Sequence, residues 1–404
     1  MRRWIVPLLV VIALAASIGS TSADTATLAG GITVTSIKVT YAFARSMTFS
    51  VAVADSSAIT AATLFYQSGV TPPRSQPADP FTPANPVDLT ASVDLSKSSL
   101  SAFSTVTYWW EISDEAGQQL RTDTQTLAYI DNRFAWKDFA SGAVRIHWYV
   151  GDSGFSAAAA AVANEALPHI QQQLGVEPPS PIDIYIYTKL DDLRSAVELS
   201  GHSWLGGLAR PEFGVVLVAI APGDSALVQM RHDIPHELTH LMVFIATTPS
   251  YRSVPRWLDE GLATLNEGEP DSSQAESLRA AYANNQLTPI TTLCGAFPAD
   301  ATAAKLAYAQ SRGVVQQIID DYGSAGLQAL MAAYRDGASC TGGVERGLNT
   351  TLASIELKWR SSLGPGGGAA AVASGSGPWI VIWLALALPL LGLVAWRKPK
   401  KSHA

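Results

Sequence analysis

Residues 233–244 read DIPHELTHLMVF, and this stretch decides how the rest of the chain is interpreted. His236 and His240 stand four positions apart, so on a helix both imidazoles project from one face, one turn apart. This separation suits two ligands of one tetrahedral zinc ion. Glu237 follows the first histidine and points beside such an ion, where it can deprotonate a water that the zinc activates. The stretch therefore predicts a zinc helix with its own general base; the alternative is a surface helix that carries two unrelated histidines.

A second motif supplies a third ligand. Residues 257–263 read WLDEGLA, and Glu260 stands twenty positions after His240. A catalytic zinc ion needs three protein ligands and one open position. The turn between Pro249 and Pro255 lets the next predicted helix fold back, so that the carboxylate of Glu260 can reach the two histidines.

Together, the two motifs resemble those of the gluzincin metallopeptidases, which include thermolysin and the aminopeptidase N family among the peptidase MA-like domains. The resemblance covers roughly residues 133–363. It implies that His236, His240 and Glu260 bind Zn²⁺. It also implies that Glu237 is the general base of an enzyme that hydrolyses a peptide or protein substrate.

A tyrosine near the start of a long predicted helix extends this resemblance. Residues 307–311 read AYAQS, at the place where aminopeptidase N-like enzymes carry Tyr-x-Lys-Gly. In those enzymes the tyrosine donates a hydrogen bond to the tetrahedral oxyanion, and the resemblance implies this catalytic role for Tyr308. Gln310 and Ser311 replace the Lys-Gly pair. The alternative is a tyrosine that only packs one helix against another.

The substrate-binding side departs from the aminopeptidases. Their Gly-x-Met-Glu-Asn motif is absent from this sequence, so we expect an endopeptidase rather than an aminopeptidase. Residues 213–218 read FGVVLV and predict an edge strand. In gluzincins such a strand pairs with extended substrate backbone, although an ordinary sheet strand would show the same pattern.

Two further side chains lie close to the motifs. His232 precedes His236 by four positions, but Pro235 intervenes and suits the first turn of a helix. His232 is therefore predicted to lie at the surface or behind the ligands. Asp259 could orient a ligand histidine, and simple surface exposure is the alternative.

The two ends of the chain predict export and membrane anchoring. Residues 1–23 combine a basic start, a short apolar run and small residues, which indicates a secretory signal peptide rather than an uncleaved anchor. Residues 379–396 form an apolar run between two tryptophans, followed by the basic tail 397–404. This pattern predicts a transmembrane helix with the body outside and the C-terminus in the cytoplasm. A buried helix and a removed lipid-anchor signal are the alternatives.

The body between these ends is acidic. Residues 24–378 carry 21 basic and 34 acidic side chains, a net charge of −13. This balance argues against nucleic acid as a partner, because phosphate binding needs clustered lysine and arginine. Cys294 and Cys340 both lie in the exported body, where a disulfide between them is plausible. Nothing in the sequence sets an oligomeric state.

Pattern and spacing predict an α+β architecture in two folded parts. Residues 24–131 alternate apolar and polar positions in six or seven short segments, which indicates an immunoglobulin-like β-sandwich. Residues 132–363 predict mixed strands followed by helices, the expected peptidase MA-like domain. Residues 364–378 read as a flexible Gly/Ala/Ser linker to the membrane helix.

These features favour a membrane-anchored zinc endopeptidase. A second interpretation is a surface interaction protein, in which the β-sandwich binds a partner and the metallopeptidase fold is catalytically idle. The complete His-Glu-x-x-His and glutamate set favours the first interpretation, because an idle copy usually loses the glutamate base.

Overall fold

The computed structural model describes residues 31–97, 100–198, 207–268 and 272–364. Two antiparallel β-sheets come first, followed by a mixed sheet and then a series of helices. The predicted order of N-terminal β-sheets and a mixed-sheet and helical part is therefore confirmed. The predicted signal peptide, membrane helix and basic tail lie outside these residues, as does the linker beyond Gly364. No helix in the described part of the chain is long and apolar enough to cross a membrane.

The N-terminal strands form a β-sandwich. One sheet has the order β1-β2-β5, and the other has the order β4-β3-β6-β7 with β8 also paired to β6. Residues alternate between the core and the outside along these strands, as period-2 segments predict. The strands are β1 Thr33–Ala42, β2 Ser46–Ala54, β3 Ile59–Ser68, β4 Arg74–Pro77, β5 Val87–Asp94, β6 Ser104–Asp114, β7 Gln119–Arg121 and β8 Gln125–Tyr129.

The mixed sheet has the order β12-β13-β11-β10-β9. Its inner strands β10, β11 and β13 run parallel, while β9 and β12 pair antiparallel to their neighbours. The strands are β9 Lys137–Ser141, β10 Val144–Trp148, β11 Ile182–Tyr187, β12 Gly207–Arg210 and β13 Val215–Ala219.

The prediction of an edge strand at residues 213–218 is wrong. β13 lies between β11 and β12, and β12 is the edge strand among the described residues. A turn at Pro211–Phe213 folds the chain back and places β12 outside β13. The run of apolar residues in β13 has both faces buried, which is typical of an inner strand.

The mixed sheet is covered on both faces. Ile184 and Val218 point towards the helices, whereas Tyr185, Tyr187 and Leu217 point into the core of the β-sandwich. The alternation of side chains along each strand directs one set to each partner. The β-sandwich therefore packs directly on the sheet that supports the helices.

The helices predicted after the mixed strands are present, and two residues interrupt them. Asn349 adopts a left-handed conformation (φ 53°) and separates the last two helices, the second of which is capped by Thr351. Gly323 (φ 63°) interrupts the helix at Ala301–Arg335. The helices are α1 Ser153–Leu174, α2 Leu190–Glu198, α3 Ala226–Thr247, α4 Arg256–Asn266, α5 Ser272–Ala283, α6 Ala301–Arg335, α7 Cys340–Leu348 and α8 Leu352–Ser362.

Cys294 and Cys340 form a disulfide, with their Cα atoms 6.0 Å apart. The bond joins the segment before α6 to the first residue of α7. It therefore ties the turn at Ile290–Cys294, which contacts α4 and α6, to the start of α7.

Candidate metal centre

Helix α3 carries the first motif, and a proline inside it anchors a neighbouring turn. The helix begins at Ala226, so Pro235 lies in its interior and not at its start. Because proline has no N–H, the carbonyl of Arg231 lacks its usual helical partner. The N–H of Gly268 donates to that carbonyl instead, at 3.1 Å. The proline thereby ties the motif helix to the turn that follows α4.

The three predicted ligands come together in one place. The Nε2 atoms of His236 and His240 lie 3.2 Å apart. Each lies close to Oε2 of Glu260, at 3.5 Å from His236 and 3.6 Å from His240. Glu260 is fully buried, and its Oε2 has no hydrogen-bond partner in the described part of the chain. Three atoms that can bind a metal therefore face one another, with Glu260 fully buried and the two imidazoles mostly buried.

This triangle fits a zinc ion. Zinc–ligand bonds of about 2.0–2.1 Å in tetrahedral geometry place neighbouring ligand atoms about 3.3 Å apart. Two imidazoles and one carboxylate are a donor set that zinc takes in catalytic sites. The buried Oε2 of Glu260 accepts no hydrogen bond, and a bound cation would be its partner.

Two carboxylates hold the ligand histidines from behind. Nδ1 of His236 lies 2.7 Å from Oε1 of Glu267, and Nδ1 of His240 lies 2.8 Å from Oδ1 of Asp259. A carboxylate at Nδ1 favours the tautomer that is protonated there and leaves the Nε2 lone pair for a metal. The geometry agrees with the expected contact of Asp259. Glu267 was missed, because nothing in the sequence distinguishes it from other acids after α4.

His232 lies farther from the three ligand atoms, behind Glu267. Its Nε2 is 3.0 Å from Oε2 of Glu267, and its side chain is 58% exposed. It does not reach the three donor atoms, which agrees with the prediction that it lies behind the ligands. His232 therefore helps to position the carboxylate of Glu267, which contacts His236.

Glu237 is buried beside the ligands. It is only 7% exposed, and both histidines and Glu260 are close enough for their charges to act on it. Burial raises the pKa of Glu237 above its ordinary value, and the histidines oppose the rise. Glu237 is thus a carboxylate placed to accept a proton beside the ligands.

Tyr308 reaches the site through an arginine that the sequence analysis missed. Nη2 of Arg256 lies 2.6 Å from Oε1 of Glu260, and the guanidinium also hydrogen-bonds Tyr308. Burial raises the pKa of Tyr308 to about 12, so its hydroxyl stays protonated and able to donate. Arg256 stands one turn before Glu260 on α4, just ahead of the recognised motif, and only its position on the helix could have indicated it.

The close crossing of α4 and α6 brings Tyr308 to this place. A Cβ atom on Gly261 would lie 2.6 Å from the carbonyl oxygen of Ser311, so only glycine permits this approach. Gln310 is fully buried, and its side-chain amide bonds both the N–H and the carbonyl of Thr288. Gln310, which stands in place of the lysine, thus holds the chain segment ahead of α6.

The sequence model of the peptidase MA superfamily matches residues 162–364, which include all the residues of this site. The chain belongs to the peptidase MA superfamily. The resemblance to gluzincins that the two motifs carry is confirmed at this level, and zinc metallopeptidases are the enzymes it points to. No curated protein matches this peptidase MA member significantly.

Two solved structures show a distant likeness. The M1 zinc metallopeptidase of Deinococcus radiodurans is 14% identical, with a TM-score of 0.35 over 82% of this chain and 93% of that chain. The aminopeptidase A of Legionella pneumophila, solved with aspartic acid, is 10% identical, with a TM-score of 0.38 over 81% of this chain and 48% of that chain. Both scores are low, so nothing about the substrate of this peptidase MA member follows from them.

Proposed function

We propose that this protein is a zinc endopeptidase in which His236, His240 and Glu260 hold the metal. The observation that carries the proposal is the triangle of donor atoms at 3.2, 3.5 and 3.6 Å. The carboxylates behind both histidines support it, because they favour the tautomer that binds a metal. Membership of the peptidase MA superfamily supports peptide hydrolysis as the reaction.

The side chains around the metal divide the chemistry among them. A bound zinc ion would act as a Lewis acid towards water and towards the substrate carbonyl. Glu237 takes the proton from the attacking water and passes it to the leaving amine. Tyr308 donates a hydrogen bond from its hydroxyl to the carbonyl oxygen as negative charge develops there. Arg256 holds Glu260 and Tyr308 in their places.

The edge strand β12 is the proposed binding site for extended substrate. It lies at the open side of the mixed sheet in the described chain, and it packs against α3, which carries the motif. A peptide that adds to this edge would gain main-chain hydrogen bonds along its length. Such binding does not require a free amino terminus, and the sequence lacks the Gly-x-Met-Glu-Asn motif of aminopeptidases.

One assay tests both the reaction and its endopeptidase character. The zinc-loaded protein is incubated with a library of internally quenched peptides, each prepared with a free and with an acetylated amino terminus. We expect cleavage of both forms at internal bonds and its loss on treatment with a chelator. Cleavage of the free form alone, one residue at a time, would make the protein an aminopeptidase. No cleavage of any peptide would favour the catalytically idle interaction protein.

We also propose that the enzyme is exported and anchored in the cell membrane by residues 379–396. The apolar run between two tryptophans and the basic residues after it support this topology. The disulfide between Cys294 and Cys340 supports an oxidising compartment for the body. We expect the full chain in the membrane fraction and a chain that ends at residue 378 in the soluble extracytoplasmic fraction. Equal distribution of the two chains would contradict anchoring.

A further inference from the structure

A cavity of about 710 Å³ opens beside the metal centre. Arg256, Asp259 and Tyr308 line it and also belong to the surroundings of the ligands, so the cavity adjoins the place of the reaction. A substrate bound across the metal centre would send a side chain or a chain end into this space. The mechanism proposed above does not use the cavity itself.

Part of the cavity wall is apolar. Val254, Pro298 and Ala304 line it, and the ring of Phe297 packs edge-on against Tyr308 at a centroid distance of 5.0 Å. Surfaces of this kind accept methylene groups. These side chains supply no hydrogen bonds, so recognition of a polar group in the cavity depends on the polar and charged lining residues.

Two arginines line the cavity. Arg252 is exposed and lines the cavity, and no carboxylate in the described part of the chain forms an ion pair with it. Arg256 adds a second guanidinium, held by Glu260 and Tyr308. Asp259 also lines the cavity, but it is 6% exposed and both its oxygens are engaged, one by His240 and one by the hydroxyl of Tyr251.

We infer that this cavity is a specificity pocket that binds a substrate carboxylate through Arg252. The carboxylate belongs to an aspartate or glutamate side chain next to the cleaved bond, or to the carboxyl terminus of the substrate. The methylene groups of an acidic side chain would lie on the apolar walls, and its carboxylate would meet the planar fork of the guanidinium. This inference rests on the proposed function, because it assigns the substrate class of the same site.

Matched substrates test the inference. Quenched peptides carry glutamate or glutamine at each position next to the cleaved bond, and a second set carries a free or an amidated carboxyl terminus. We expect kcat/KM to favour one carboxylate-bearing form about twofold to fivefold over its amide partner, and the preference to weaken with added salt. The set in which the preference occurs distinguishes a side-chain carboxylate from a terminal one.

Two variants of Arg252 assign the preference to that residue. In Arg252→Gln we expect the preference to disappear, and in Arg252→Glu we expect it to reverse. Arg346 is exposed on α7, outside the cavity lining, so Arg346→Gln is the matched control and should keep the wild-type preference. Cleavage of the library without any preference for a carboxylate would overturn the pocket and leave the peptidase intact. A preference that survives both Arg252 variants would also overturn it.

A binding measurement separates this inference from the proposed reaction. The same peptides, labelled for fluorescence anisotropy, are titrated with zinc-loaded Glu237→Gln protein, which cannot cleave them if Glu237 is the base. We expect tighter binding of the carboxylate form, and loss of this difference when Arg252→Gln is added. If wild-type protein cleaves no peptide, the proposed function fails, yet the binding difference still decides the pocket. Equal binding of acid and amide forms overturns the pocket whatever the activity.

Discussion

Each of the two imidazoles at the centre is held by a carboxylate behind it. Glu267 contacts His236 at 2.7 Å, and Asp259 contacts His240 at 2.8 Å. Such contacts fix the ring and raise its strength as a ligand. Asp259 lies in the first turn of α4 and Glu267 directly follows its last residue, so α4 and the turn after it position both histidines of α3.

The contact from Glu267 has a measurable consequence. Replacing Glu267 by Gln keeps the shape but weakens the hold on the imidazole, so we expect zinc affinity to fall by about tenfold to a hundredfold. Competition with a chelator of known affinity measures this change without reference to activity. Glu276→Gln, at an exposed position on α5, is the control and should bind zinc as the wild type does. Unchanged affinity in Glu267→Gln would show that the contact plays no part in metal binding.

Tyr308 gives a second prediction for a single residue. Loss of one oxyanion donor commonly costs about a hundredfold in kcat or more, so Tyr308→Phe should lose turnover while it keeps its zinc. Tyr322→Phe changes an exposed tyrosine of the same helix and should leave kcat unchanged. If Tyr308→Phe kept the wild-type kcat, the hydroxyl would have no catalytic role and the residue would serve only to pack the helices.

The pKa of Tyr308 predicts the alkaline side of the pH profile. The neutral hydroxyl is the donor, and it persists below its pKa of about 12. An ordinary tyrosine ionises near pH 10, about two units lower. We therefore expect kcat to show no loss from this group around pH 10, provided that the protein remains folded. A decline of kcat centred near pH 10 in the wild type, absent from Tyr308→Phe, would contradict the raised value.

For single residues, the spacing within the two motifs was enough to predict much of the site. His236, Glu237, His240 and Glu260 follow from positions along two helices, and the structure brings them together. Glu267 and Arg256 could not be found in the same way, because their contacts depend on where α4 lies against α3 and α6. An acid or an arginine near a motif has no signature of its own until that packing is known.

At the scale of elements, the disulfide closes a segment of 46 residues between Cys294 and Cys340. By loop-closure entropy, a bond over this length stabilises the folded chain by about 4 kcal/mol. We expect Cys294→Ser, Cys340→Ser and the double variant to lose similar stability, each measured by denaturant unfolding. Because Cys294 lines the cavity, substrate preference should be measured alongside. A loss that differs greatly between the two single variants would indicate effects other than the cross-link.

The elements also show where sequence patterns stop being informative. Period-2 alternation located the main strands of the β-sandwich, but it did not show β4, which lies in a proline-rich segment at a sheet edge where proline is tolerated. The order of strands in the mixed sheet depends on long-range pairing. The segment 213–218, which was predicted as an edge strand, therefore forms the inner strand β13. Pro235 similarly lies within α3, because the N–H of Gly268 satisfies the carbonyl that the proline leaves free.

At the scale of the whole molecule, the β-sandwich and the mixed sheet share one buried network. Asp131 is fully buried, lies 2.6 Å from the guanidinium of Arg133 and accepts a hydrogen bond from Tyr187 at 3.0 Å. The ring of Phe103 meets Tyr185 at 4.9 Å. The domain boundary predicted between residues 131 and 132 falls inside this network.

Because of this shared network, we expect the β-sandwich and the helical part to unfold together. We expect a single cooperative transition in calorimetry, because separating the two parts would expose Tyr185, Tyr187 and Leu217. A chain that lacks residues 24–131 should aggregate or unfold, since it carries that apolar face uncovered. Two well-separated transitions, or a stable truncated chain, would show that the β-sandwich is an independent domain.

If Glu237 is the base of a zinc-dependent peptidase, its replacement by Gln separates metal binding from turnover. Zinc content and hydrolysis of a quenched peptide are measured on the same preparations of wild type, Glu237→Gln and the exposed control Glu165→Gln. We predict one zinc ion per chain in all three, with turnover reduced about a hundredfold or more in Glu237→Gln alone. A Glu237→Gln protein that keeps both its zinc and wild-type turnover would contradict the account, as would a wild type that hydrolyses peptides without zinc.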